Sequence, residues 1–224
     1  MKSEKWLAAF HFFCCWKALW LTFSESCRMS KFDPMGIEEE IKRYTLTEYL
    51  AIEEEAEYRS EFYNGQIFAL AERSPEHSAI AANFIYGLAN AFRDKACRVF
   101  DSSLMVRIED LNSVLYPDAS VICGPLDRDP QRRNLVRNPT LIVKVLSKST
   151  HRYDRGNKFF KYQMIPSLQT DVLVEQDEPT VHVSHKNEDG AWDVDNYFGL
   201  EGTVELKPHG VSITMAQIYQ WIEF

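Results

Sequence analysis

Leu141-Ile142-Val143-Lys144-Val145-Leu146 is the stretch on which the fold turns. Side chains alternate across a strand, so Leu141, Val143 and Val145 fall on one face and Ile142, Lys144 and Leu146 on the other. Both faces are apolar but for one residue, the mark of a central strand covered on both sides. Lys144 breaks the pattern, and breaks of this kind tend to fall at functional or strained positions. The plain alternative is an edge lysine that runs its ammonium past its apolar stem into water.

Working outward, strand-like runs at 97–108 and 115–123 come before this stretch, and another at 171–175 follows it. Further upstream, Thr45-Leu46-Thr47-Glu48 has the spacing of a capping box, and its helix is expected to reach about Glu57. Asn64-Gly65 is a hairpin signal between short strands. Ser74-Pro75 opens a second helix whose apolar stripe is Ile80, Phe84, Leu88 and Phe92. Downstream, Asp154 can cap a helix holding Lys158, Phe159, Tyr162 and Met164, closed by Pro166. Strands at 181–184, 192–197 and 204–206 follow, and Thr214 caps a last helix carrying Ile218, Trp221 and Ile222. The order predicts an α/β (α+β) domain over residues 37–224: a mixed central sheet flanked by helices, with additional C-terminal strands and a terminal helix.

With 45% apolar and 26% charged residues, the chain has a globular composition, and its 224 residues suit one domain. A net charge of -8 and a pI near 5.3 exclude a protein that coats nucleic acid indiscriminately. The charge is uneven, however. Residues 128–161 hold ten Lys/Arg against Asp129 and Asp154, a local +8 on a remainder of -16. This reads either as a phosphate-gripping surface or as a solvated charge run.

Cys14, Cys15, Cys27, Cys97 and Cys123 form no CxxC pair, and their number is odd. They are expected to be reduced structural thiols of a cytoplasmic protein, neither a zinc site nor a disulfide framework. Residues 1–36 do not match the rest and read as a hydrophobic extension outside the fold, with Met29 or Met35 as the natural start. His11 and Lys17 interrupt its apolar run at 6–23, so a membrane anchor there is the second reading.

Four places invite chemistry. Asp118, after Pro117, sits among Leu115, Ala119, Val121 and Ile122, where a lone carboxylate has to be paired or metal-bound. As a turn aspartate at a strand start it would be purely structural. Lys144 is the second place. Lys158 and Tyr162, one helical turn apart, can face a common anion, although separately they are a solvated lysine and a core-edge tyrosine. His77, early in the second helix, is alone an ordinary first-turn histidine.

Glu61…Asn64-Gly65, Ser74-Pro75-x-His77, Tyr116-Pro117-Asp118, Asn138-Pro139-Thr140, Val145-Leu146-Ser147-x-Ser149-Thr150, Asp154-Arg155-x-x-Lys158 and Tyr162 occur in that order. The ordered set resembles the bacterial Uma-two family of restriction-endonuclease-like proteins, of the PD-(D/E)xK type, over about residues 44–224. The resemblance implies a restriction-endonuclease-like core and hydrolysis of DNA phosphodiesters by a magnesium-activated water. Asp118 would be a metal ligand, with an acid on the next strand beside it. Lys158 would steady developing charge, and His77 and Tyr162 would contact phosphate or water. No small-molecule cofactor is implied, and nuclease folds of this kind suggest a homodimer.

One position departs from the family pattern, which has Glu-Val-Leu-Ser where this chain has Lys144-Val145-Leu146-Ser147. An ammonium there would repel a dication by roughly 8 kcal/mol at 4 Å and an effective dielectric of 20. Asp118 and Lys144 would instead pair with each other, unless Glu61 or Glu175 substitutes for the lost acid. Three functions stay open: a Mg²⁺-dependent DNA endonuclease, a silent relative binding DNA through 128–161, and an interaction protein keeping only the fold.

Overall fold

The computed structural model describes residues 42–146 and 159–224. The extension at 1–36, the candidate anchor at 6–23, the cap Asp154 and Lys158 therefore lie outside the described residues. Helix α1 (Leu46–Glu55) begins at the expected capping box: Thr45 Oγ1 accepts from the Glu48 N–H at 3.2 Å, and Glu48 Oε2 accepts from the Thr45 N–H at 2.7 Å. Strands β1 (Ser60–Tyr63) and β2 (Gln66–Ala69) form the predicted hairpin. Its two turn residues, Asn64 and Gly65, take φ of 45° and 85°, the left-handed pair a type I′ turn requires. Helix α2 (Pro75–Ala91) starts at Ser74 as N-cap, with Pro75 where its missing N–H leaves nothing unpaired.

The run at 97–108 is two strands, β3 (Cys97–Asp101) and β4 (Met105–Ile108), and the run at 115–123 is likewise two, β5 (Ser113–Leu115) and β6 (Ala119–Cys123). In both cases the chain leaves one sheet and enters another. Next come β7 (Leu135–Val136), β8 (Leu141–Leu146), α3 (Phe159–Gln163), β9 (Thr170–Glu175), β10 (Thr180–Lys186) and β11 (Trp192–Phe198). The described chain closes with β12 (Thr203–Leu206), β13 (Val211–Thr214) and the short α4 (Met215–Ile218), whose cap Thr214 was expected. Strand β13 was not anticipated.

The larger sheet has the order β11-β10-β9-β8-β6-β3 and the second β2-β1-β5-β4-β7, with β12-β13 as a separate ribbon. Strand β8 is central and buried along its whole length, parallel to β9 and antiparallel to β6. Its Leu141–Val143–Val145 face packs against α2, β12, β13 and α4. Gly87 lets α2 approach that ribbon, since a Cβ there would stand 2.9 Å from Ile213 Cγ2. The opposite face, through Ile122 and Ile142, packs against Val106, Ile108 and Leu115 of the second sheet and against Tyr162, Ile165 and Leu168. A third cluster joins α1 to the second sheet's outer side through Tyr49, Phe62, Met105 and Val114.

The expectation of reduced cysteines needs correcting. Cys97 and Cys123 are directly opposed on β3 and β6 and form a disulfide. Spacing along the chain gave no hint, because the pairing depends on the register of two strands 26 residues apart. Reducing this bridge is expected to cost roughly 3 kcal/mol of stability, the loop-closure entropy of a segment that long. The measurement is the urea midpoint with and without dithiothreitol; a midpoint that ignores reductant would mean the thiols are not joined. Among the described residues no helix is long and apolar enough to cross a membrane.

Candidate functional site at the Pro117–Asp118 corner

Between β5 and β6 the chain passes from one sheet to the other through Tyr116-Pro117-Asp118. Pro117 has no N–H to give a ladder, which suits it to the break. Asp118 resumes the ladder by donating its N–H to the Val143 carbonyl at 2.9 Å. Its side chain extends the pairing one step further, Oδ2 accepting the Val145 N–H at 2.8 Å. The backbone thus locks this carboxylate, 1% exposed, against the end of β8.

Three basic side chains converge on it. Lys144 Nζ lies 3.1 Å from Oδ2, Arg73 Nη2 lies 2.8 Å from Oδ1, and His77 Nε2 lies 3.6 Å from Oδ2. Burial pushes the Asp118 carboxyl up, but Lys144, His77, Arg73 and the Val145 N–H together hold it below the usual carboxylate range. Burial lowers His77, aided by Lys144 and Arg73 and opposed by Asp118, so its imidazole is neutral at pH 7. Lys144 is 6% exposed and donates also to the Tyr116 carbonyl at 3.3 Å. The edge-lysine reading is thereby excluded, and the alternative raised from sequence, a direct Asp118–Lys144 pair, is present.

Tyr116 is itself clamped. Its N–H donates to Glu61 Oε1 at 3.3 Å, and its hydroxyl donates to Glu53 Oε1 at 2.9 Å. Glu53 also accepts the Ser60 N–H and hydroxyl. Glu61 therefore stands one residue from the corner, as its place in the ordered motif set suggested. Arg73 and Glu53 were missed, because both reach the corner from distant turns of chain that carry no local pattern. Glu175 ends β9 beside Leu146, at the same end of the sheet, with His182 Nε2 3.7 Å away. Tyr162 is buried in the cluster between the sheets. Strands β8 and β9 are parallel, and their carboxyl ends, where ligands gather in parallel sheets, carry Lys144 and Glu175, with Asp118 and His77 beside Lys144.

Among its described residues the basic segment is less of a surface than its composition implies. Arg137 is bound to Asp127 at 2.7 Å and Glu109 at 3.1 Å, and Arg132 donates to the Leu50 carbonyl at 2.9 Å. Lys161 is buried with its ammonium 3.6 Å from the Tyr63 ring centroid, and Lys144 is inside the fold. Arg128 and Arg133 are exposed.

Magnesium, implied by the resemblance, does not fit the residues described. It takes one or two carboxylates together with waters and phosphate oxygens. Here one carboxylate has both oxygens engaged by cations, and among the described residues no group of three or more His, Cys, Asp or Glu is arranged to hold a metal.

A family model described as "Uma2: Putative restriction endonuclease" matches residues 46–216. Two uncharacterised proteins of Synechocystis sp. are similar to this chain. The protein slr1290 is 36% identical over 177 residues, 79% of this chain and 92% of its own. The protein sll1609 is 32% identical over 165 residues, 74% of this chain and 93% of its own. The crystal structure of a putative nuclease belonging to DUF820 from Anabaena variabilis matches at a TM-score of 0.66 and 19% identity, covering 80% of this chain and 98% of that one. With its mixed central sheet, its Pro–Asp corner and this span of matched residues, the chain belongs to the Uma2 family and has its restriction-endonuclease-like fold.

Proposed function

We propose that the chain acts on DNA, holding a backbone phosphate near the Asp118 corner, and that it binds without hydrolysing. The observation that carries this is the 3.1 Å contact between Lys144 Nζ and Asp118 Oδ2. The reading is supported by a protein cation lying beside Asp118 at the position where the resemblance implies a second acid. The nuclease descriptions carried by the family and by the structural neighbour support DNA as the partner. Arg73, 30% exposed, together with exposed Arg128 and Arg133 supplies positive charge for phosphates on an otherwise acidic chain.

A second reading, a Mg²⁺-dependent endonuclease using Glu61 or Glu175 as substitute acid, draws on Glu61 lying next to the corner and Glu175 at the same sheet end. Plasmid nicking and duplex mobility shifts, each with Mg²⁺, Mn²⁺ or EDTA, separate the two. Salt-sensitive binding that ignores EDTA, without nicking, is expected. Nicking that EDTA stops and Asp118→Ala abolishes would replace the first reading by the second.

A further inference from the structure

We infer that the Lys144 ammonium stands in for the metal ion, so that the chain takes up no divalent cation at Asp118 and one substitution, Lys144→Glu, converts the corner into a Mg²⁺/Mn²⁺ site. This rests on the proposed reading only for the corner's importance, and its test uses metal alone, without DNA.

The ammonium is held from several sides. It lies 3.1 Å from Asp118 Oδ2 and 3.3 Å from the Tyr116 carbonyl. That carbonyl cannot easily withdraw, because Glu61 holds the Tyr116 N–H and Glu53 its hydroxyl. With β8 buried along its length, an ammonium displaced by a hydrated dication would have to leave its two oxygen partners inside the fold, at the cost of an unpaired buried charge. Arg73 differs. Its guanidinium is partly exposed and can turn to water, so among the described residues Lys144 is the buried cation that a dication would have to displace.

Two oxygens that suit a hard cation already stand beside the Lys144 ammonium, Asp118 Oδ2 and the Tyr116 carbonyl. Asp118 and residue 144 are neighbours across β6 and β8, next to the Ala119–Val143 pair. A carboxylate at 144 would share a cation with Asp118, the Tyr116 carbonyl would be a neutral oxygen ligand, and water would supply the remainder.

The test counts bound Mn²⁺ by loss of the free-ion paramagnetic resonance signal, on the full chain. Wild type is expected to leave Mn²⁺ free. Lys144→Glu is expected to bind one equivalent at least on the order of a hundredfold more tightly, and adding Asp118→Asn should abolish that gain. Lys144→Gln, which removes the cation without placing two acids together, should gain about tenfold and serves if Lys144→Glu fails to fold by circular dichroism. Stoichiometric Mn²⁺ binding by wild type that Asp118→Asn removes would overturn the inference. So would a folded Lys144→Glu, or a folded Lys144→Gln in its place, that leaves Mn²⁺ free.

Discussion

Replacing Asp118 by alanine is expected to lower the unfolding free energy by about 3–5 kcal/mol at neutral pH, seen as a fall in the urea midpoint at unchanged slope. The loss is large because the substitution strands a cation rather than deleting a contact. Arg73 can rehydrate, but Lys144, with an 8% exposed side chain, cannot. The Val145 N–H also loses its acceptor at a buried sheet end. Alanine at 118 together with methionine at 144 should recover much of the deficit, since both charges then go and the volume at 144 is kept. If the double variant instead loses the full sum of the single effects, the two residues are not coupled. The pH dependence has a definite sign. A carboxyl held below its unfolded value contributes stability above that value, about 3.9, and loses it as pH falls through the folded pKa. The deficit of Asp118→Ala should therefore shrink in acid.

What could be read from the sequence follows the range of the physics involved. The Thr45 capping box, the Asn64-Gly65 turn and the period-two pattern of β8 are local, and each appears where its residues predict. The buried place of Lys144 was legible for the same reason. Sheet membership was not. Strands β3 and β4 are separated by Ser102, Ser103 and Leu104, with neither Gly nor Pro to mark the turn, and the cue there is Asp101 Oδ1 accepting the Ser103 N–H at 2.9 Å. Pro117 falls inside the run at 115–123 that reads as one strand, and it is the point of crossing between sheets. The charge count over 128–161 could not reveal that Arg132, Arg137, Lys144 and Lys161 are engaged within the fold. Asp171 passed as an unremarked strand residue, since nothing in Thr-Asp-Val-Leu-Val-Glu says which face is dry.

Asp171 is expected to make the protein markedly less stable at pH 8 than at pH 4. It is fully buried on β9, paired with Ile142 on one side and Ser184 on the other, and among the described residues neither carboxyl oxygen has a well-aligned hydrogen-bond donor, the Val172 N–H being the near one. Burial pushes its pKa up to about 8, with the Val172 N–H opposing weakly. A carboxyl raised above its unfolded value keeps its full contribution below about pH 3.9 and loses it as pH rises through the folded pKa. Across that window the unfolded chain releases a proton that the folded chain retains, at about 1.4 kcal/mol per pH unit, so the loss approaches roughly 5 kcal/mol before levelling off above pH 8. Other groups titrate in the same window, Asp118 among them with the opposite sign, so the measurement is a difference. Asp171→Asn keeps the shape and has no proton to lose. Its stability relative to wild type should rise steadily from pH 4 to pH 8, even if its amide is a poorer guest than the neutral acid at the low end. A parallel pair of pH profiles would show that Asp171 ionises normally in the folded chain. A carbon-13 carboxyl resonance titrating near 8 and absent from Asp171→Asn would locate the proton directly.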